Sequence, residues 1–421
     1  MDEKMVQEKS GKIVYAFLSV LMTAALFPSH VHGAGFAIAE QSASATGMAC
    51  AVTGLADTPS AIYYNPAGIG MQKGLGAEAG VTFIVPLTSH KNPDTGEVTD
   101  AQKNLFYPPS VYINYRFPVG LAFGLGFFVP YGLGVQWPEG WEGSEEVESI
   151  ELQTYFITPV VAWNILPWLS VGGGVSIVRS TVEFKKGINF VDEPGSLKAG
   201  GFAWNMGWDI GLLIRLLDGK VGFGLNYRSS VELGFTGNAD FDVPLAFASL
   251  FEDQPVNTQV VLPSVLSIGI SGKPHHSLTL SADVVATMWS SFEEFGLSFP
   301  EDVDKPPEEQ LSKSEPRYWH DVWSLRFGVR FEPDFAKWLI LRLGLAYDRN
   351  PSPSNTISPS LPDSDRIDGA LGFGFLLMYG FKIDVSYMYV HFLERSSTPD
   401  AFPGTYRSSA HITSLSIGYR H

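Results

Sequence analysis

The chain has 421 residues, a formal net charge of −16 and a single cysteine, Cys50. These values exclude an intramolecular disulfide, and they argue against nucleic acid as a partner because phosphate binding needs a basic surface. Charged residues make up 17% of the chain, aromatic residues make up 13%, and the mean hydropathy is +0.07. This mixture favours many short strands over helices.

The first predicted element is a signal peptide over residues 1–33. Three lysines precede an apolar run over residues 13–27, which is too short for a comfortable transmembrane helix. Val31 and Gly33 are acceptable small residues before a cleavage site, so we expect the mature chain to begin near Ala34. Acids among the first eight residues offset the lysines, which leaves an uncleaved anchor as the alternative.

Residues 34–73 follow without any regular alternation. The segment opens with Ala34-Gly35-Phe36, is rich in small residues and contains Asn65-Pro66-Ala67. It is too long for a loose tail and too polar to span lipid. If the strands that follow close into a wide barrel, a compact segment before them is a natural plug. Asn65-Pro66 is also compatible with an ordinary turn.

From residue 75 onward, apolar residues alternate with small or polar residues in segment after segment, which predicts strands with one apolar face and one polar face. Many segments exceed the roughly 5–6 residues usual in soluble sheets, and they approach the roughly 9–11 that cross a bilayer at a tilt. The fourteen predicted strands lie near residues 75–86, 108–117, 120–136, 148–163, 168–186, 200–216, 219–236, 258–272, 276–297, 316–331, 337–349, 366–378, 381–395 and 406–420.

The connections between these strands alternate strictly between short turns and long loops. A soluble sandwich shows the same alternation along its strands, but it has no reason to sort its loops in this way. The pattern predicts an all-β fold, a 14-stranded antiparallel transmembrane β-barrel over residues 74–421 with an N-terminal hatch, or plug, inside the lumen. Such barrels reside in the bacterial outer membrane.

Several short motifs resemble one family. They occur in order along nearly the whole mature chain, and the family is that of the FadL-type outer-membrane transporters of long-chain fatty acids and hydrocarbons. The motifs are Ala34-Gly35-Phe36, Asn65-Pro66-Ala67, Val129-Pro130-Tyr131-Gly132-Leu133-Gly134, Asn226-Tyr227-Arg228-Ser229, Trp289-Ser290-Ser291-Phe292 and Leu361-Pro362-Asp363-Ser364-Asp365-Arg366.

The resemblance implies a mechanism. A hydrophobic ligand is held among the outer loops and then enters an apolar pocket inside the barrel. Movement of the hatch, which includes Ala34, Gly35, Phe36 and Asn65-Pro66-Ala67, releases it through a gap where the third strand is kinked. The ligand then leaves sideways into lipid by passive diffusion.

The third strand suits a lateral opening at Pro130, Tyr131, Gly132 and Gly134. Pro130 lacks an amide hydrogen and the glycines relax the backbone, so this stretch is expected to lose part of its ladder. An ordinary bulge is the alternative.

An outer ligand groove is predicted in the loop over residues 241–253. Val243, Phe247, Leu250 and Phe251 fall at near-helical spacing there, and exposed loops seldom carry so many large apolar residues without a binding role. The alternative is that these side chains pack against neighbouring loops.

Head-group contacts are predicted among inward-facing charges. Arginine can grip a carboxylate with two hydrogen bonds, or it can pair with lumen acids such as Asp209, Glu232, Asp348 and Asp384. By resemblance, the basic residues that hold the fatty-acid head group in the family have no counterparts here, and His320 stands at the position of one of them. A neutral hydrocarbon or aromatic ligand is therefore as acceptable as a fatty acid. The inward-facing arginines are Arg116, Arg228, Arg326, Arg330 and Arg342.

We expect no enzyme activity, because the sequence has no Gly-x-Ser-x-Gly elbow. An outer-membrane lipid hydrolase, a general porin with an open lumen and an adhesin are the competing interpretations. No cofactor and no metal site are predicted. The expected partners are a hydrophobic small molecule, outer-membrane lipid and lipopolysaccharide, around a barrel that is monomeric.

Overall fold

The strands close into a single antiparallel barrel. The computed structural model describes residues 35–190, 193–302, 310–398 and 401–420, so the predicted signal peptide and Ala34 lie outside the described residues. The first barrel strand pairs with the last along its whole length, from Gly76 opposite Arg420 to Lys91 opposite Thr405. This pairing leaves no sheet edge exposed to lipid, as a membrane-spanning sheet requires.

Fourteen strands form the wall, and the prediction of a 14-stranded barrel is confirmed. Three strands consist of two pieces each. In chain order they are β1 Gly74–Lys91, β2 Pro109–Arg116, β3 Leu121–Phe128 with Gly132–Gln136, β4 Ser149–Leu166, β5 Leu169–Phe190, β6 Glu193–Leu216, β7 Val221–Arg228 with Val231–Asp242, β8 Gln254–Leu262 with Val265–His275, β9 Leu278–Thr287, β10 Val322–Phe331, β11 Leu339–Asp348, β12 Arg366–Leu376, β13 Phe381–Phe392 and β14 Thr405–Arg420.

The outer surface of the barrel is apolar. On β6, Trp204, Met206 and Trp208 are 58%, 60% and 50% exposed, and on β11 Leu343 is 62% exposed. Side chains of this size would be covered in a soluble sandwich, whereas a transmembrane barrel turns them toward lipid. The polar partners in the alternation lie on the inside, where they meet the N-terminal segment and one another.

The alternation changes face in β7, which corrects one prediction. Asn226 and Arg228 are buried inside the barrel, but after Ser229 and Ser230 the inward residues are Val231 and Leu233. An extra residue at this point shifts every later side chain to the opposite face, as a bulge does. Glu232 therefore lies on the outer face, where the sequence pattern had placed it in the lumen.

The predicted strand over residues 276–297 is also shorter than expected, because β9 ends at Thr287. The chain then turns inward through a 3₁₀ turn, Trp289–Ser291, and Trp289 is fully buried. Outside the wall, Glu294–Leu297 pairs with Lys313–Pro316, and shorter pieces are Val98–Asp100, Arg395–Ser396, Pro300–Asp302 and Met378–Gly380.

The N-terminal segment contains short helical elements instead of strands: α1 Ala43–Thr46, α2 Ala61–Tyr64 and the 3₁₀ turn Pro66–Gly70. Within the residues described, no helix has the length and apolar character needed to cross a membrane.

Ion pairs lie between charged side chains on the inner face of the barrel. Arg342 of β11 lies 2.9 Å from Asp384 of β13, Lys382 lies 2.7 Å from the same carboxylate, and Arg342 and Asp384 are almost completely buried. Removing one member of a buried pair leaves the other charge uncompensated in a poorly hydrated site, which is strongly destabilising.

We therefore expect Asp384→Ala to lower the free energy of unfolding by about 3–5 kcal/mol. Urea titration of the protein in lipid vesicles measures this change. The matched control is Glu394→Ala, because Glu394 pairs with Arg407 on an exposed surface where an ion pair contributes little. Equal stability of the two variants would contradict the role assigned to the buried pair.

Candidate functional site

Residues 35–73 lie inside the barrel and are bonded to strands around its circumference. Asn65 begins the 3₁₀ turn by accepting a hydrogen bond from Ala67, and its amide donates to the carbonyl of Leu212 on β6 at 3.0 Å. Ser170 of β5 donates to the carbonyl of Ala67 at 2.7 Å. The predicted motif Asn65-Pro66-Ala67 thus joins the segment to two strands, in addition to forming a turn.

The barrel strands carry glycine, which has no side chain, at several positions where they contact this segment. A Cβ atom added to Gly211 would lie 2.2 Å from the side-chain oxygen of Asn65, and one added to Gly344 would lie 2.2 Å from the backbone nitrogen of Ala49. No real Cβ approaches so closely, so these positions accept only glycine unless the segment moves. The same holds for a set of inward-facing glycines that we name the glycine track: Gly172, Gly211, Gly224, Gly269, Gly328 and Gly344.

The five predicted lumen arginines all lie inside the barrel, and two of them contact the N-terminal segment. Arg228 donates to the carbonyl of Tyr63 at 2.7 Å and stacks over the Tyr63 ring, and Arg330 pairs with Asp57 at 2.9 Å. The other three bind wall residues: Arg326 lies 3.9 Å from Asp348, Arg342 pairs with Asp384, and Arg116 donates to Asn164 at 3.2 Å.

The third strand is interrupted at Val129, Pro130 and Tyr131, and the N-terminal segment supplies the missing hydrogen bonds. Ile38 donates to the carbonyl of Pro130 at 2.8 Å, and Gly132 donates to the carbonyl of Phe36 at 3.1 Å. The Gln41 side chain bonds both the N–H and the carbonyl of Val129. We name this interruption the β3 break; residues 36–41 close it from inside.

The ring of Phe106 packs beside the part of β3 that follows the β3 break. The β2–β3 ladder ends at Val111 opposite Phe127, so Gly132 and Gly134 have no partner on β2 within the described residues. Phe106 fills the space beside Gly134, where a Cβ would lie 2.2 Å from the ring.

Phe36 occupies an aromatic pocket inside the barrel. Its ring centroid lies 4.7 Å from that of Trp289, 5.8 Å from Phe292, 6.2 Å from Tyr131 and 6.3 Å from Trp319. These four rings define the aromatic pocket. With Phe36 in place the adjoining free space is about 40 Å³, far below the roughly 300 Å³ of a small-molecule site.

Polar groups in this pocket were not predicted from the sequence. Arg317 is the one charged residue among those lining it, and it stacks over Phe295 at 5.6 Å. Burial lowers the pKa of the Arg317 guanidinium, while Glu315 and Glu146 raise it. The indole N–H groups of Trp289 and Trp319 are buried without an acceptor among the residues that the structure describes. The pocket therefore offers donors to a polar group within an apolar lining.

His320 lies outside the barrel strand in which it was predicted. It sits in the connection before β10, where its backbone N–H donates to the carbonyl of Pro351 at 3.1 Å. Burial lowers the pKa of its imidazole, and the nearby Arg349 and Arg395 lower it further. A neutral imidazole is a weaker anion contact than the guanidinium of Arg317.

The loop predicted as an outer groove forms consecutive turns, so its near-helical spacing does not produce a helix. Phe247 and Phe251 pack against Phe190 at the tip of β5, with ring centroids 4.6 Å and 5.5 Å apart. Leu250 is 68% exposed, and Val243 is half-buried.

An apolar path joins this loop to the aromatic pocket. Phe241 at its base contacts Phe299, which belongs to a buried cluster with Val256. A second small cavity lined by Val256 shares Val182 and Phe295 with the aromatic pocket.

The start of the N-terminal segment is held by a long loop. The backbone N–H of Gly35 donates to the Asp363 carboxylate at 2.7 Å. Burial raises the pKa of Asp363 to about 7, against the opposing effects of Arg366 and the Gly35 hydrogen bond. Gly35 has φ +64°, and a Cβ there would lie 2.5 Å from the Trp289 ring, so only glycine lets the chain turn Phe36 into the pocket.

A closed 14-stranded barrel with an apolar belt and a filled lumen defines a β-barrel protein of the outer membrane. More specifically, residues 24–421 match the model of the family described as outer membrane protein transport protein (OMPP1/FadL/TodX), and the chain belongs to that family.

Relatives and solved structures agree with this assignment. The long-chain fatty acid transport protein of Escherichia coli O6:H1 is 25% identical, covering 91% of this chain and 92% of its own. The 47 kDa outer membrane protein of Pasteurella multocida is 24% identical over 98% of this chain and 99% of its own. A Pseudomonas aeruginosa FadL homologue has a TM-score of 0.82 at 20% identity, covering 92% and 100% of the two chains. The Ralstonia pickettii toluene transporter TbuX has a TM-score of 0.68 at 18% identity, covering 93% and 99%.

Asp363→Ala removes the acceptor of the Gly35 N–H, and an unpaired buried donor costs roughly 1–3 kcal/mol. We expect faster amide hydrogen exchange across residues 35–41, measured by mass spectrometry. Asp365→Ala is the matched control, because the Asp365 carboxylate accepts a hydrogen bond from Tyr347 of the wall instead of from the N-terminal segment. Unchanged protection in Asp363→Ala would show that this hydrogen bond does not hold the segment.

Proposed function

We propose that this protein passes hydrophobic small molecules through the outer membrane by passive diffusion, with residues 35–73 as a hatch and the β3 break as a lateral exit. One observation carries the proposal: the same short stretch, residues 36–41, both fills the aromatic pocket with Phe36 and closes the β3 break. Displacement of that stretch opens a binding site and an exit together.

The size of the pocket makes the displacement necessary. Free space of about 40 Å³ holds a water molecule or two, not a fatty acid or a toluene molecule. A hydrophobic ligand must therefore replace Phe36 among the aromatic rings. Burying the ligand there compensates for the loss of Phe36 contacts, so ligand binding and hatch movement are coupled.

The ligand reaches this pocket from the outer loops. Leu250 and its neighbours present apolar surface at the top of the barrel, and the path through Phe299, Val256 and Phe295 leads inward. The exit is lateral, because Pro130 and the missing β2 partners leave a stretch of wall without a ladder. An apolar molecule leaving there enters lipid without crossing water.

The lining favours long-chain fatty acids over neutral hydrocarbons. Both classes occur among similar proteins, which include a long-chain fatty acid transport protein of Escherichia coli and a toluene transporter of Ralstonia pickettii. In this chain Arg317 and Trp319 line the pocket, and the indole N–H groups of Trp319 and the neighbouring Trp289 are buried without an acceptor among the described residues. These donors suit a carboxylate. The lumen arginines serve instead to hold the hatch and the wall.

Arg317→Leu tests the substrate class. Because the guanidinium is the one charge in the pocket lining, its loss is expected to reduce uptake of oleate while leaving uptake of toluene unchanged. Radiolabelled uptake by cells that lack their own fatty acid transporter measures both. His320→Leu is the control, with oleate uptake retained. An equal loss for both compounds would contradict a head-group role for Arg317.

The lateral exit is tested by rebuilding the third strand with Pro130→Val, Gly132→Val and Gly134→Val. Phe106→Ala accompanies them, because its ring occupies the space of a side chain at Gly134. A continuous strand is expected to lower uptake, because it closes the exit through the β3 break. Phe106→Ala alone is the control. Full uptake by a correctly folded rebuilt variant would overturn the exit at β3.

A further inference from the structure

The barrel wall has a second interruption, between β6 and β7. Below it, the two strands pair from Leu216 opposite Val221 to Asp209 opposite Arg228. Above it, pairing resumes at Phe202 opposite Thr236. Between these points no ladder pair joins residues 203–208 to residues 229–235, all of which the structure describes. We name this stretch the β6–β7 seam.

One backbone hydrogen bond and two hydrogen bonds that involve side chains hold the seam together in place of a ladder. The Ser229 N–H donates to the Trp208 carbonyl at 2.9 Å, and the Trp208 N–H donates to the Ser229 hydroxyl at 3.0 Å. Higher up, the Asn205 amide bonds the Glu232 carbonyl. Residues 229–235 of β7 number one more than residues 203–208 of β6, which they face. The extra residue forms a bulge in β7, and regular pairing resumes after it. Separating them breaks few hydrogen bonds.

The seam faces the apolar belt on its outer side. Trp204, Met206 and Trp208 of β6 are more exposed there than most wall residues. Gly234 of β7 has open space where a side chain would stand, and Glu232 is held by Gln259 of β8 at 2.9 Å. An apolar molecule at the seam would therefore contact large side chains on β6 and, at Gly234, no side chain on β7.

On its inner side the seam adjoins the aromatic pocket. Val231, Leu233 and Phe235 point inward and are almost completely buried in the same apolar cluster as Phe36 and Trp289. Val260 on β8 belongs to that cluster and lines the pocket directly.

From this arrangement we propose that the β6–β7 seam is a second lateral passage, through which an apolar molecule moves between the aromatic pocket and the surrounding lipid. The passage rests on the proposed transport function, and it differs from the β3 break in one respect. Residues 36–41 bond the β3 break directly, whereas the seam is closed by wall residues alone, with Val231 packed against Gly207. Displacing the hatch thus opens one route, and spreading two strands opens the other.

A reversible lock tests the passage. A Cβ on Gly207 would lie 2.8 Å from a methyl carbon of Val231, a position that a cysteine sulfur can take, and a disulfide places each Cβ roughly 3 Å from the partner sulfur. Gly207→Cys with Val231→Cys, in a Cys50→Ala background, places a disulfide across the seam. We expect oxidation to reduce radiolabelled oleate and toluene uptake roughly twofold if both routes carry similar flux, and reduction to restore it.

The matched control is Leu212→Cys with Leu225→Cys, again with Cys50→Ala. These residues face each other in the intact ladder of the same two strands, so a disulfide there leaves the seam free. Oxidising this control is expected to leave uptake unchanged. Locking the seam in the variant with the rebuilt third strand is expected to abolish the uptake that remains.

The outcomes separate the two proposals. If the oxidised seam variant takes up as much ligand as the wild type, the second passage is overturned and the proposed function stays intact. Wild-type uptake no greater than that of the empty vector overturns the proposed function and the passage with it. A seam lock whose effect persists after reduction indicates damage to the fold, and it also counts against the passage.

Discussion

The structure depends on one constraint, that every backbone polar group within the bilayer must find a partner inside the protein. Pairing of β1 with β14 meets this requirement around the ring. Where β3 breaks, the requirement is met by Phe36 and Ile38 of the N-terminal segment. The segment is therefore a component of the wall as well as an occupant of the lumen.

In the function proposed above, this double role connects ligand binding to opening of the β3 break. Moving Phe36 out of its aromatic pocket disturbs the neighbouring backbone bonds to Pro130 and Gly132. A ligand that competes with one ring acts on the hydrogen bonds two residues away, and no long chain of contacts is needed to carry the effect. The hydrogen bond from Gly35 to Asp363 sets how firmly this stretch is held at its other end.

The sequence was sufficient for the fold because lipid outside and a filled lumen inside impose a strict period of two on every strand. It failed where one residue was added to a strand. After Ser230 the pattern assigns Glu232 to the lumen, while the structure turns Val231 and Leu233 inward. The sequence at Ser229 and Ser230 gives no local signal for this change of face, because the change depends on how β7 pairs with β6 and β8.

Parts of the site were beyond prediction for a similar reason. The motif Asn65-Pro66-Ala67 and the interruption at Pro130 have local chemical signals, a turn former and a missing amide. Arg317 has none, since it lies in a long connection without periodicity, and only the folding of that connection brings it to the pocket. The partners of Arg228 and Arg330 lie on the N-terminal segment, which no strand pattern could place.

The glycine track has a consequence for permeability. Gly211, Gly344 and the other members leave the inner wall bare along the course of the N-terminal segment, so the lumen there is wider than a barrel with ordinary inward side chains. The chain is rich in glycine in part because the N-terminal segment lies directly against the inner wall of the barrel. Without the N-terminal segment the same wall would surround a broad aqueous pore, so the selectivity for apolar solutes that we propose depends on the filled lumen and not on the barrel wall.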